Sequence, residues 1–417
     1  MAKVDHHDDL PALAMHLRTE LHELRYVLLY AYNGIGKTRL SRDFSEIGKI
    51  YNLDREPVMA DTLYFNAFTE DLFTWDNDLE YDERRILKLN TRSRFFVGLA
   101  EFEIENRVRS ILNHFADFGI KIDLKYEDPS ADDEKPFLKE GFVSFNREIL
   151  IEENGQSRSE TIEDIKISRG EESIFVWCFF MAIVEIVLDP DMDSYDWVKY
   201  IYIDDPISSL DEQNAIKVAT HLALTIKQAH KNHAAGKHED CPPGIVISTH
   251  HPLFHNVLWN EFNNDQKKER AQRLFLSRDW NTGEYLTRNT KDTPFFHHIA
   301  NLMELYERVE AGNLDTYHFN SLRVVVEKTS NFLGYNTFSD CIKRQMDDYD
   351  GVLHARMLNL LSHGGYSLYE PFKMGEDNIQ LFKKILHAFI QDYAFSEQHF
   401  PGLPATKQQE NNEATST

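Results

Sequence analysis

The chain has 417 residues, 42% of them hydrophobic and 27% charged, ordinary values for a globular protein long enough for two or three domains. No run of about 18 apolar residues occurs, which excludes a membrane-spanning helix, and the acidic opening MAKVDHHDDL lacks the apolar core of a secretory signal. Cys178, Cys241 and Cys341 stand singly, which argues against a structural zinc site and suits a reducing cytoplasm, while a formal net charge of −24 disfavours general phosphate binding but allows a local basic patch.

In chain order, RYVLLY at 25–30 reads as a short strand, AYNGIGKT at 31–38 as a loop, and RLSRDFSEIGKIY as a helix. Strand, glycine-containing loop and helix form the context of a phosphate-binding loop. Gly34 and Gly36 let backbone N–H groups approach phosphates, with Asn33, Ile35 and Arg39 completing the loop and first turn. Lys37 would reach the β- and γ-phosphates and Thr38 would ligate Mg²⁺. Ala31 stands where the first glycine is usual. Residues 51–90 are aromatic and acidic, and 92–120 carry apolar positions at helical spacing. Residues 121–166 read as a strand-rich insertion, and 90–166 together as a subdomain. No heptad run interrupts it, so a long coiled coil is absent.

ISRGEES at 167–173 precedes an apolar helix. Ser168 and Gly170 could offer an anion a hydroxyl and backbone donors. Equally, Ser168 reads as an N-cap, with Glu171 and Glu172 in the first turn. YIYI at 200–203 is a buried strand with Asp204 and Asp205 at its C-terminal end, where ligands bind in parallel sheets. One carboxylate there can hold a hydrated Mg²⁺ and the next can polarise a water. Pro206 turns the chain, SSLD follows at 208–211, and then a helix. A third strand, GIVISTHHPLF, ends at His250, which could contact a γ-phosphate and orient the attacking water; His251 is its neighbour.

The ordered set of loop, signature turn, paired acids, SSLD and histidine resembles the ABC ATPase family over roughly residues 20–260. The resemblance implies an α/β P-loop fold with Mg²⁺ on Thr38 and Asp204. Asp205 stands at the family's catalytic glutamate, one methylene shorter, which would suit a slow switch. Ser168, Gly170, Glu171 and Asp211 would complete the site of a second copy, so a homo-oligomer, at least a dimer, is implied. In place of the family's magnesium-sensing glutamine the chain offers only Asn66, Glu70 and Asp71.

Beyond about residue 265 the ATPase motifs are finished. Residues 267–291 concentrate Lys267, Lys268, Arg270, Arg273, Arg278, Arg288 and Lys291 among Phe275, Trp280 and Tyr285. That is either a stacking-and-phosphate surface or a solvated strand pair. Helices follow. Arg323 and Glu327 lie four apart on one face of one of them. His363 ends another, just before Gly364 and Gly365, with Arg356 one heptad earlier. These are a salt bridge and a cap on the plain reading. They are also parts for metal-free RNA cleavage, in which His takes the 2′-OH proton and Arg stabilises the phosphorane.

YAYNGIGKTRLSRDF, YFNAFTEDLFTWDNDLE, ISRGEESIF, YIYIDDPISSLD, STHHPLFHNVLWNE, YHFNSLRVVVEKTSNFLGY and RMLNLLSHGGYS together resemble the PrrC-type bacterial anticodon nucleases. The resemblance implies an ABC ATPase at 1–264, a mainly α-helical HEPN-like nuclease at 265–400 and a disordered tail at 401–417. It places a catalytic triad on Arg323, Glu327 and His363. It further implies a tRNA substrate, typically lysine tRNA cut beside the wobble base, leaving 2′,3′-cyclic phosphate and 5′-hydroxyl ends. The implied setting is cytoplasmic phage defence, with GTP or ATP as driving nucleotide, dTTP as stabiliser and a type I restriction-modification complex as latency partner. The alternative is a DNA-repair or DNA-sensing ABC ATPase whose C-terminal helices are a non-catalytic scaffold.

Overall fold

The computed structural model describes residues 4–53, 55, 57–66, 72–76, 85–91, 103–127, 137–153, 156–189, 195–207, 211–234, 242–262, 270–279, 282–290, 297–316, 318–342, 373–393, 395, 400, 402 and 403. They divide into two compact units, Met1–Lys291 and Asp292–Thr417.

The first unit opens with β1 (Val4–His7), α1 (Leu10–Glu20), β2 (Tyr26–Tyr30) and α2 (Lys37–Ile47). The hairpin β3 (Ile50–Tyr51) and β4 (Pro57–Met59) follows, then β5 (Thr62–Asn66), β6 (Phe73–Asp76), β7 (Ile86–Leu89) and α3 (Ile104–Leu112). Next come β8 (Gly119–Glu127), β9 (Phe137–Glu153), β10 (Gln156–Ile162), α4 (Arg169–Val187) and β11 (Tyr200–Asp204). The unit closes with α5 (Glu212–Ala234), β12 (Gly244–Thr249), α6 (Pro252–Glu261), β13 (Ala271–Arg278) and β14 (Tyr285–Asn289).

Seven strands form one sheet in the order β1-β14-β13-β2-β12-β11-β5. From β13 to β5 every pairing is parallel; β14 and β1 add antiparallel edges. The central strands are buried on both faces, as in covered parallel sheets. Their alternation sorts side chains between two cores. Tyr26, Leu28, Ile201, Ile203, Ile245 and Ile247 face one; Val27, Leu29, Tyr202 and Val246 face the other, with α1 and α2.

The first core is centred on α4, which is apolar all round and buried from Ile174 to Val184. Phe180 stacks on Phe65 of the large sheet at 4.2 Å, while Phe175 meets Phe73 and Phe145 of the second sheet at 5.4 and 5.2 Å. That second sheet, β10-β9-β7-β6 with β8 on β9, supplies the strands expected at 121–166. Of the helix expected at 92–120, the described part is α3; residues 92–102 lie outside the described residues.

A boundary at 264/265 cuts through the sheet, because β13 pairs with β2 and β14 with β1; the first unit therefore runs to Lys291. Of the two readings of the basic segment 267–291, the strand pair is formed: β13 and β14 pair within the sheet, with Arg278 and Arg288 half-buried and Arg270 exposed. Arg273, Phe275 and Tyr285 are each 4% exposed, their alternate positions turned into the sheet's packing. Trp280, Lys267, Lys268 and Lys291 lie outside the described residues.

In the second unit, helices His297–Glu310, His318–Leu333 and Glu376–Asp392 share a core of Leu302, Leu305, Leu322, Val326, Phe382 and Leu386.

One buried cation ties α1 and α2 to β5. The Arg18 guanidinium donates to both Asp61 carboxylate oxygens at 2.8 and 2.9 Å, to Thr62 Oγ1 at 2.9 Å and to the Phe44 carbonyl at 2.7 and 3.0 Å. It lies 4.6 Å from the ring centres of Phe44 and Tyr200. Burial pushes the Asp61 carboxyl up, but the Arg18 and Thr62 hydrogen bonds outweigh it and leave it below its ordinary value. Arg18→Ala strips these partners at once and should cost about 3 kcal/mol, read as a lower urea midpoint with unchanged slope; an unaltered midpoint would show the network to be dispensable.

Candidate functional site: a phosphate-loop centre and a helical Arg–Glu pair

The site begins where β2 ends. Ala31 N–H donates to the Thr249 carbonyl at 3.1 Å, continuing the strand pairing into the loop. Gly34 and Gly36 then adopt φ of 85° and 115°, the left-handed region that suits glycine. At Gly36 a Cβ would also come within 3.3 Å of Leu10 on α1. Gly36 caps α2 without any side-chain hydrogen bond, so no capping side chain competes for the first-turn N–H groups. Backbone donors at the positive end of a helix dipole are what an anionic phosphate requires.

Lys37, 6% exposed, lies at the centre. Its ammonium donates to the carbonyls of Ala31 and Tyr32 at 3.2 and 3.3 Å and to Asn33 Oδ1 at 3.3 Å, and stands 3.7 Å from Asp205 Oδ2. Burial lowers its pKa, and the charges of Asp205 and Asp204 act against that.

The parallel register places Asp204 between Asn66 of β5 and Ser248 of β12. Asp204 is 1% exposed. Its Oδ1 accepts from Ser248 Oγ at 2.7 Å, whereas Oδ2 is buried and accepts no hydrogen bond. Burial raises its pKa, against the opposing effect of Ser248 and Thr38. A buried carboxylate oxygen without a partner, with the Thr38 hydroxyl close by, fits a divalent cation carried in with phosphates. The cation would neutralise phosphate charge; Thr38 and Asp204 would hold it.

Asp205 has φ of 50°, a strained conformation for a non-glycine residue, and it re-aims the second carboxylate. Its N–H donates to the Ser248 carbonyl at 2.8 Å. Oδ1 accepts from Thr249 Oγ1 and His250 N–H, both at 3.2 Å, and Oδ2 lies 2.5 Å from His250 Nδ1. Burial pushes this carboxyl up; the His250 hydrogen bond and the Lys37 charge overcome it and hold it below the ordinary 3.8. The resulting carboxylate–imidazole pair can orient and deprotonate a water. His251 does a different job: its Nδ1 caps α6 by accepting the Phe254 N–H at 3.3 Å.

The other nucleotide residues lie in local structure. Ser168 and Glu171 form a reciprocal capping box on α4, at 3.3 and 2.7 Å, and Glu171 pairs with Arg147 at 2.5 Å. A Cβ at Gly170 would meet nothing within 4 Å, so that turn is open. Asp211 accepts the Asn214 N–H at 2.8 Å at the start of α5. Ile35 is half-buried and Arg39 exposed. Ser208 to Leu210, Glu70 and Asp71 lie outside the described residues, whereas Asn66 closes β5.

In the second unit Arg323 Nε donates to Glu327 Oε1 at 2.7 Å, one turn along the same helix, and its guanidinium lies 5.2 Å from the Phe338 ring centre. Arg356 and His363 lie outside the described residues. The pattern of the sequence did not reveal the close partners of the phosphate loop: Tyr64 and Ser41, joined at 3.1 Å, and Ser248. Only strand register, a long-range property, brings them there.

A family model described as an AAA domain matches residues 150–391. An anticodon nuclease of Escherichia coli is 32% identical over 361 residues, 82% of each chain. The chain belongs to the anticodon nuclease family. A solved structure of an SMC head bound to the C-winged-helix domain of ScpA covers 64% of this chain and 91% of its own, at 12% identity and a TM-score of 0.30, too weak a likeness to bear on fold or function. For this anticodon nuclease family member, Lys37→Ala should abolish binding of a fluorescent nucleotide analogue. Asp205→Asn should keep that binding and slow hydrolysis about 100-fold or more. Because Asp205 is held below 3.8, its pair stabilises the fold above that pH and loses this effect as pH falls further. The asparagine variant should therefore show a shallower loss of stability in acid, measured by circular dichroism.

Proposed function

We propose that the chain is a nucleotide-switched tRNA anticodon endoribonuclease acting in cytoplasmic phage defence. The observation that carries this reading is a relative named anticodon nuclease at 32% identity across 82% of both chains. The Arg323–Glu327 pair on a helix of the second unit supports it. In this reading residues 292 to about 400 form a HEPN-like module and 401–417 a disordered tail. His363 takes the proton of a ribose 2′-OH. Arg323 stabilises negative charge on the phosphorane oxygens, and Glu327 fixes the guanidinium's direction. The oxygen so freed attacks the adjacent phosphorus and the 5′-oxygen leaves, giving a 2′,3′-cyclic phosphate and a 5′-hydroxyl. Lysine tRNA cut beside the wobble base is the proposed substrate.

The first unit is the switch. GTP or ATP with Mg²⁺ occupies the loop of residues 33–39. Thr38 and Asp204 hold the cation, Asp205 and His250 position the water, and dTTP is a further regulatory nucleotide. Ser168, Gly170, Glu171 and Asp211 of a second copy close the site, so the active form is at least a dimer. A type I restriction-modification complex holds it latent.

The test is incubation of purified chain with total bacterial tRNA, followed by sequencing of fragments and identification of their ends. Arg323→Ala and His363→Ala should each reduce cleavage at least about 1,000-fold while nucleotide binding is retained. Intact tRNA with DNA-stimulated nucleotide hydrolysis would instead select a DNA-sensing ATPase.

A further inference from the structure

The strand that delivers the metal carboxylate carries an unusual residue. In a covered parallel strand both faces are ordinarily aliphatic. In β11 the residue two before Asp204, on the same face, is Tyr202, 0% exposed. Its register partner on β5 is Tyr64, and the register partner of Asp204 on β12 is Ser248. The phenols and hydroxyls form a polar layer between the sheet and α2.

Half of this layer is hydrogen-bonded. Ser41 Oγ lies 2.9 Å from the Thr38 carbonyl, which can only accept, and 3.1 Å from Tyr64 Oη. Ser41 has one proton and gives it to Thr38, so the Tyr64 hydroxyl donates to Ser41. Tyr64 thereby holds the first turn of α2, and Thr38 with it, to β5. The other half is incomplete. Tyr202 Oη and Asp204 Oδ2 are both buried without a hydrogen bond. Ser248, which donates to Asp204 Oδ1 at 2.7 Å, stands two residues beyond Val246, the register partner of Tyr202 on β12, and so on the same face of the sheet as Tyr202. Fully buried polar atoms without partners are rare and call for a cause.

We propose that Tyr202 is a positioning residue for the Mg²⁺ carboxylate, acting through Ser248. The Tyr202 hydroxyl donates to Ser248 Oγ as the cation is taken up, and Ser248 donates to Asp204 Oδ1. This fixes the carboxylate's rotation so that Oδ2 stays aimed at the cation beside Thr38. Groups that orient a metal ligand in this way set metal affinity while touching neither metal nor substrate. The inference rests on the Mg²⁺–nucleotide reading of the phosphate loop.

The test uses the full chain and Tyr202→Phe, which removes one oxygen and keeps the ring. Binding of a fluorescent GTP analogue is measured across a Mg²⁺ titration and in EDTA, with a thermal melt of each protein. The Mg²⁺ midpoint of Tyr202→Phe should rise about tenfold. Its binding in EDTA should match the parent, and its melting temperature should not fall, because a buried hydroxyl without a partner is lost. Ser248→Ala should shift the midpoint in the same direction, and the double variant no further than the larger single effect. An unchanged midpoint in Tyr202→Phe would overturn the proposal. So would equal losses in melting temperature and in EDTA binding, which mark a merely structural tyrosine. Parent binding that ignores Mg²⁺ and survives Lys37→Ala would overturn the phosphate-loop reading itself, and the proposal with it.

Discussion

A carboxylate buried at the end of a central strand is costly unless its surroundings compensate it, and the first unit is organised around that cost. Asp204 is held by β11, which is buried on both faces between β5 and β12. One oxygen is satisfied by Ser248 and the other accepts no hydrogen bond, an arrangement that fits a cation ligand. The next residue turns into a positive φ, so that Asp205 faces Lys37 and His250 instead of continuing the strand. Two adjacent acids thus acquire opposite characters from environment alone. Burial raises Asp204, whereas at Asp205 the His250 and Lys37 interactions outweigh burial. One suits a metal ligand and the other a base.

The packing around these groups explains how they are kept in place. α4 fills the space between two sheets with aromatic side chains, fixing the face of β11 that carries Ile201 and Ile203. On the other face Arg18 clamps α1, the end of α2 and the start of β5 together. The phosphate loop, Asp205 and His250 are joined directly, Lys37 standing 3.7 Å from Asp205 and Asp205 2.5 Å from His250, while Ser248 on the same strand end holds Asp204.

Much of this centre was legible in the sequence because its signals are local. A glycine loop between strand and helix, two acids after an apolar strand and a histidine after another need only short windows. The double reading of Ser168 was legible too; its capping box is present, and the role toward a second copy is a separate proposal. What was not legible is non-local. The pairing of β1 with β14 joins residues some 280 apart in the chain, His7 to Tyr285 among them, and the arginines of β13 and β14 leave a basic surface and a strand pair equally open in the sequence. In the sequence Tyr202 shows only an apolar strand pattern; the register of three strands sets it beside Tyr64 on the face of β11 that carries Asp204.

The central claim is that one phosphate loop governs an RNA-cleaving module in the same chain. The most direct measurement is the rate of tRNA cleavage with and without GTP and Mg²⁺, in the parent chain and in Lys37→Ala. The account predicts a nucleotide-dependent rate in the parent, and in the variant only the nucleotide-free rate under both conditions. Full nucleotide stimulation in Lys37→Ala would contradict it.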